Sequence, residues 1–252
     1  MLPTFHKLFI KSILKETSQA VSIQFEIPSH LQNDFAFIAG QYLMIQWYNG
    51  EKTLYRAYSI AASPFANEIQ ITVKSASEGD FSHFANTSLQ VGDFLEVSLP
   101  QGNFTLQTDM GQSKNYLALA TGSGITPIYA MIQAVLESEP QSRFGLIYGN
   151  THPEHTIFKS QLDALQIKYP EQFTVQYVYS RFADEQSRQG RIDADLIGLA
   201  LQQKFSLHQW DTFYICGQES FKEESVEALI SRGYQLEQIH CEWFSKPKKK
   251  LM

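Results

Sequence analysis

The chain has 252 residues, with 26 acidic against 20 basic side chains, a formal net charge of -6, 43% hydrophobic residues and 18% charged residues. This is the composition of a folded chain long enough for two domains of ordinary size, and an acidic balance with no basic stripe before its last residues disfavours general nucleic-acid binding. Its two cysteines, Cys216 and Cys241, exclude a disulfide framework and a four-cysteine iron–sulfur cluster built from these residues alone.

The opening "MLPTFHKLFIKSILKE" is interrupted by Lys7, Lys11 and Lys15 and is followed by no small-residue cleavage site, so it does not read as a signal peptide. No apolar run is long enough for a bilayer. The expectation is a cytoplasmic protein with no stable membrane insertion. In "VSIQFEIP", Val21, Ile23, Phe25 and Ile27 alternate with Ser22, Gln24 and Glu26, which predicts a strand with one buried face. Short strands are also predicted in "GQYLMIQW", "LYRAYSIA", "EIQITVKS" and "DFLEVSLP", separated by Gly, Asn, Asp and Pro turns. Together they predict an antiparallel barrel or sandwich.

From about Ser113 the pattern changes. The apolar run "KNYLALA" is followed by "PIYAMIQAVLES", where Ile128, Met131, Ile132, Val135 and Leu136 share one helical face. Strand-like "FGLIYGN", helical "TIFKSQLDALQ", strand-like "FTVQYVYS", helical "DADLIGLALQQ", strand-like "DTFYICG", helical "SFKEESVEALIS" and strand-like "QIHCEWF" continue the alternation. Such a series predicts a parallel sheet with helices on its faces. The polar stretch "QTDMGQSK" marks the boundary, giving a β domain at residues 1–110, an α/β domain at 111–244 and a basic tail at 245–252.

"ATGSGITPI" is a candidate phosphate turn, because Gly122 and Gly124 follow a strand and precede a helix, leaving backbone N–H groups free to face an anion. Pro127 stands where a G-x-G-x-x-G fingerprint has its third glycine, and a plain strand–helix turn fits this fragment equally well.

Taken in order, "RAYS", "VKSASEGDFSHF", "LPQGNF", "ATGSGITPI", "YGN", "YICGQ" and "EWF" resemble the ferredoxin-NADP reductase superfamily, most of all the flavin and nicotinamide domains of reductases that serve multicomponent bacterial oxygenases. The resemblance runs from about residue 6 to residue 244. It implies a two-domain fold, an FAD-binding antiparallel β-barrel followed by an NAD(P)-binding α/β domain. It also implies that Arg56 pairs with the flavin pyrophosphate, that the Tyr58 ring lies against the isoalloxazine and that Ser59 contacts the flavin near N5, with Ala57 between them. Guanidinium, flat ring and small hydroxyl each suit their part. In the second flavin element, Val73 and Lys74 precede Gly79, Phe81 and Ser82, with Lys74 implied to lie near the phosphates or ribose and Ser82 expected to cap a short helix facing the pyrophosphate. Thr121, Gly122, Gly124 and Pro127 are implied to receive the nicotinamide dinucleotide, and Cys216 and Gly217 to lie near its nicotinamide. Gln218 replaces the family's usual proline, which loosens that turn.

Ser180, Arg181 and Arg191 stand where members that use NADPH bind the 2′-phosphate, so NADPH is expected, with NADH as the alternative. Asp184 and Glu185 in the intervening loop offer both arginines surface ion pairs instead. In the terminal motif Glu242 is implied to relay a proton or position the nicotinamide, and Phe244 to screen the flavin. The expected catalytic residues are thus Tyr58, Ser59, Cys216 and Glu242. For the Cys216 thiol, packing is expected rather than nucleophilic chemistry. His152 and His155 have a metal-ligand spacing, but Pro153 between them favours a solvated turn, and no metal site is expected. The implied activity is hydride transfer from NADPH to FAD and single-electron delivery to a ferredoxin or other iron–sulfur protein on a separate chain. A free-flavin reductase and a non-catalytic flavin- or nucleotide-binding regulatory subunit remain the alternatives, and Lys248, Lys249 and Lys250 are either a solubilising tail or a contact for an acidic ferredoxin or a membrane surface.

Overall fold

The computed structural model describes residues 3–50, 52–76, 79–182, 187–206 and 209–242. Six strands form the first sheet: β1 (Phe5–Thr17), β2 (Ala20–Glu26), β3 (Tyr42–Tyr48), β4 (Thr53–Ser59), β5 (Ile69–Lys74) and β6 (Phe94–Ser98). Their order is β4-β3-β6-β1-β2-β5, with every pair antiparallel. A bridge between Ile60 and Ile71 ties the two edges together, closing the sheet as a barrel. Leu8, Ile23, Leu43, Ile45, Ile71, Val73 and Val97 fill it.

The strand β1 is absent from the pattern reading. Its register with β2 shifts between Ile10 and Ser12 and again between Lys15 and Thr17. Each shift inverts which side chains face inward, so the 13-residue strand shows no sustained period of two.

Helix α1 (Asp80–Thr87) packs on the barrel through Phe81 and Ala85. Eight residues are too few for a stable isolated helix, and burial of the aromatic ring, about 1.5–3 kcal/mol, supplies the missing driving force. Asn86 Nδ2 donates to the carbonyl of Val73 at 3.1 Å, fastening the helix to β5.

The second sheet is parallel, with β7 (Asn115–Thr121), β8 (Arg143–Asn150), β9 (Phe173–Tyr179), β10 (Ser187–Gln189), β11 (Thr212–Cys216) and β12 (Ile239–Cys241) in the order β10-β9-β8-β7-β11-β12. The helices α2 (Ile125–Ser138), α3 (Lys159–Lys168), α4 (Ala194–Gln202) and α5 (Glu219–Ile230) cross between its strands. The order reverses at β7, so the crevice beyond the carboxyl ends of β7 and β11 is where such a sheet accepts a nucleotide. Helix α3 starts later than its apolar pattern, because Phe158 sits in the left-handed region at φ 62°.

The halves share apolar packing. Ala39, Ala61, Phe104 and Leu106 from the first belong to one buried cluster with Tyr129, Met131 and Tyr214 from the second. Gly40, at φ +98°, is required in that seam, since a Cβ there would lie 2.1 Å from the Phe104 carbonyl oxygen and 2.5 Å from Met131 Cε. Polar ties flank it: the Ser63 hydroxyl donates to Glu137, and Gln161 Nε2 donates to Glu16 at 3.0 Å. Below the parallel sheet, the fully buried Glu139 accepts from the Asp109 N–H at 3.0 Å and from the Tyr116 hydroxyl at 3.1 Å, anchoring the segment that joins the halves. Among the described residues, no helix is long and apolar enough to cross a membrane.

Candidate functional site

A cavity of about 650 Å³ opens at the carboxyl edge of the parallel sheet. It gathers Lys74 from the barrel with Thr121, Gly122 and Gly124 after β7, Ser180 after β9, Arg191 before α4 and Gly217 after β11. These residues lie up to 143 positions apart (74 to 217), and the two sheets bring them to one place.

Close approach of two turns builds the floor. A Cβ on Gly124 would stand 2.3 Å from the Cys216 carbonyl oxygen, and one on Gly217 would stand 2.2 Å from Thr121 Oγ1, so both positions require glycine. Gly122 takes φ +54°, and its carbonyl accepts from the Tyr148 hydroxyl at 2.9 Å. Thr121 Oγ1 is buried without a hydrogen-bond partner. An orphaned hydroxyl beside a glycine turn at the head of a helix is suited to an anionic dinucleotide, which would satisfy it.

Of the other residues expected here, Pro127 is buried in the first turn of α2 and does not reach the cavity. Arg181 is exposed and also stands off the cavity, its N–H bonded to the Thr151 carbonyl at 3.1 Å. Cys216 is fully buried, and burial pushes its thiol far above the ordinary range. What it offers the cavity edge is backbone. Glu242 follows β12, half-buried, with its carboxyl raised by burial and drawn back by the charge of Lys222. Phe244, the loop acids Asp184 and Glu185, and residues 245–252 lie outside the described residues.

The flavin-side residues lie along the barrel edge. The β3–β4 register sets Arg56 opposite Ile45 and Tyr58 opposite Leu43, which puts both on one face. Arg56 is exposed, its guanidinium donating to the Tyr55 carbonyl at 2.9 Å. The half-buried Tyr58 ring lies 5.7 Å from Phe81, and burial pushes its hydroxyl up to about 12 against the opposing charge of Arg56. Ala57 is exposed opposite Met44, whereas Ser59 is buried. Val73 and Phe81 are core residues whose side chains point into the barrel, leaving their backbone for any ligand contact.

Ser82 corrects an expectation. The residue that caps α1 is Gly79, with no side-chain bond, and Ser82 lies inside the first turn. Its hydroxyl donates to the Gly79 carbonyl at 2.9 Å and accepts from the Ala76 N–H at 3.0 Å. It braces the turn, and a Cβ on Gly79 would collide with it at 2.3 Å. Beside this turn a second cavity, of about 550 Å³, is lined by Trp47, Asn49, Ala76, Gly79, Asp80, His83, Phe84 and Ser88.

Sequence reasoning missed Asn150, Thr151, Asp193, Ser220, Phe221 and Glu224 on the main cavity wall. Only the "YGN" motif pointed that way. Asp193 also caps α4, accepting from the Leu196 N–H at 2.8 Å. His155 ends the turn Pro153–His155 and His152 precedes it; His155 Nδ1 is 2.8 Å from Thr151 Oγ1, and no group of three potential metal ligands clusters among the described residues.

A closed antiparallel barrel is thus joined to a reversed-order parallel sheet, with a glycine-floored cavity between them. The model of the oxidoreductase FAD-binding domain matches residues 9–106, and that of the oxidoreductase NAD-binding domain matches residues 118–227. One component of the 1,2-phenylacetyl-CoA epoxidase of Escherichia coli is 36% identical over 98% of this chain and 69% of its own length. The ferredoxin reductase component of the 3-ketosteroid-9-alpha-monooxygenase of Rhodococcus rhodochrous is 29% identical, and this chain spans 64% of it. Among solved structures, a ferredoxin NADP+ reductase from Neisseria gonorrhoeae with bound FAD and NADP superposes with a TM-score of 0.81 over 96% of this chain and 99% of its own, at 22% identity. The chain has the ferredoxin-NADP reductase fold and belongs to the family of FAD- and NAD(P)-using oxidoreductases that includes this E. coli component.

Proposed function

We propose that the chain is a reductase in which residues 1–110 hold FAD and residues 111–244 hold NADPH, and that it delivers single electrons to an iron–sulfur acceptor, a ferredoxin or an oxygenase component. The observation that carries this reading is the single cavity shared by Lys74 of the barrel and the Thr121–Gly124 turn of the parallel sheet. FAD, when bound, supplies the exchange between two-electron and one-electron chemistry.

The residues divide the work. Arg56, exposed and donating to a carbonyl of its own strand, is available for bidentate pairing with the flavin pyrophosphate. Tyr58 offers its ring to the isoalloxazine, and Ser59 a small hydroxyl near N5. Gly79, braced by Ser82, lets the head of α1 approach the same pyrophosphate, with the backbone of Ala57, Val73 and Phe81 beside it. Thr121, Gly122 and Gly124 receive the dinucleotide pyrophosphate, and Pro127 stiffens the helix behind them. Ser180 and Arg191, with Arg181 alongside, favour a 2′-phosphate and hence NADPH over NADH. The backbone at Cys216 and Gly217 seats the nicotinamide, with Glu242 at the flavin edge. Orientation of the two rings at contact distance is the main contribution of the protein.

The E. coli and Rhodococcus relatives are named as parts of multicomponent oxygenases, which supports an acceptor on another protein. Two cysteines within these residues leave the acceptor's cluster to be supplied elsewhere. The test is anaerobic mixing of the purified yellow protein with NADPH and with NADH while following the visible flavin band. Rapid bleaching, faster with NADPH, is expected. An unbleached flavin with both nucleotides overturns the reading, and a colourless protein with saturable kinetics on added flavin replaces it with a free-flavin reductase.

A further inference from the structure

Helix α5 buries a lysine at its inner face. Lys222 is 3% exposed, and its ammonium donates to the main-chain carbonyl of Glu242 at 2.6 Å. A charge that deep persists only where its surroundings compensate it. The N–H of Glu242 donates to the Ile215 carbonyl at 3.1 Å. The residue is thus held from two directions, by β11 through its N–H and by α5 through its carbonyl. That grip sets Glu242 at the carboxyl edge of the parallel sheet, where β11 ends in Cys216.

We propose that Lys222 is the positioning residue for Glu242, clamping its main chain so that the residue is presented at that edge. The proposal rests on the reading of Glu242 as a group at the flavin edge. Among the described residues, the charged and titratable groups near it include Lys222 on α5, Cys216 at the end of β11 and Cys241 on β12. Burial raises the Cys241 thiol to about 11 and Cys216 further, so neither is charged at neutral pH. Of the three, Lys222 is therefore the group whose charge acts on the carboxylate. Burial favours the neutral acid, and the ammonium opposes it. A methionine at 222 would fill similar volume and leave burial unopposed.

The experiment is a carbon NMR titration of the Glu242 carboxyl in the ligand-free protein, assigned with Glu242→Gln, in wild type, Lys222→Met and Lys222→Arg. A midpoint about one pH unit or more higher in Lys222→Met, restored by Lys222→Arg, is expected. An unchanged or lowered midpoint in Lys222→Met overturns the proposal. Stopped-flow flavin reduction across the same pH range separates this from the reductase reading. If wild type reduces its flavin and the kinetic limb moves with the NMR midpoint, both stand. If the midpoint moves but wild-type flavin is not reduced by either nucleotide, the reductase reading fails while the Lys222 and Glu242 linkage stands.

Discussion

Lys74 and Gly122 meet across the two halves of the molecule: the ammonium at the end of β5 lies 3.7 Å from where a side chain on Gly122 would begin. Strand β5 therefore brings the Lys74 ammonium onto the glycine turn that follows β7. Lys74→Met is expected to weaken NADP+ binding about tenfold or more, the value of a charge-assisted hydrogen bond, with little change in flavin retention. Titration calorimetry of the flavin-loaded protein reads both.

Arg56 tests the flavin side. Because it is exposed and donates to the neighbouring carbonyl of Tyr55, Arg56→Gln is expected to leave the unfolding midpoint of the flavin-free protein nearly unchanged, within about 0.5 kcal/mol. Flavin affinity is expected to fall about ten- to a hundredfold. Equal loss of fold stability would assign Arg56 to the barrel instead.

Gly124 admits no side chain. With the Cys216 carbonyl oxygen 2.3 Å from a Cβ, Gly124→Ala must push the turn away from β11, at about 1–3 kcal/mol. Urea unfolding measures that loss, and dinucleotide affinity should fall with it because the two turns form the cavity floor.

Glu139 is a matter of stability alone. Glu139→Ala leaves the Asp109 N–H and the Tyr116 hydroxyl without their buried acceptor, for a loss of about 2–4 kcal/mol. Glu139→Gln keeps an acceptor oxygen and should recover at least half, as read from urea midpoints.

Alkaline pH should destabilise the fold. Burial raises the hydroxyls of Tyr58, Tyr129 and Tyr214 to about 12, above the ordinary value near 10. Between those values the unfolded chain loses protons that the folded chain keeps. The stabilisation is complete below about 10 and is lost as pH rises through about 12. Unfolding midpoints measured from pH 8 to 11 should decline only above pH 9 to 10, and a rise over that interval would contradict the burial of these rings.

Most strands and helices were readable because burial on one face leaves a period, as in Val21, Ile23 and Phe25 or in Ile128, Met131 and Ile132. The exceptions are positions where local geometry breaks the period: the register shifts of β1 and the left-handed Phe158 before α3. At the site, motif order brought out Arg56, Thr121, Gly122, Ser180 and Arg191. It did not bring out Lys222 or Tyr148, which reach main chain, at the carbonyls of Glu242 and Gly122. A contact with main chain leaves no trace in the identity of the residue contacted. Ser82 shows the converse, a motif serine whose hydroxyl is spent inside its own turn.

The seam at Gly40, where Phe104 and Met131 close over a missing side chain, bears on how the molecule comes apart. Neither half can be melted without exposing apolar surface of the other, so calorimetry should record a single endotherm. A chimaera that exchanges one half for that of a relative would have to match this seam as well as the nucleotide sites. The junction is thereby a constraint on recombination, separate from any constraint set by catalysis.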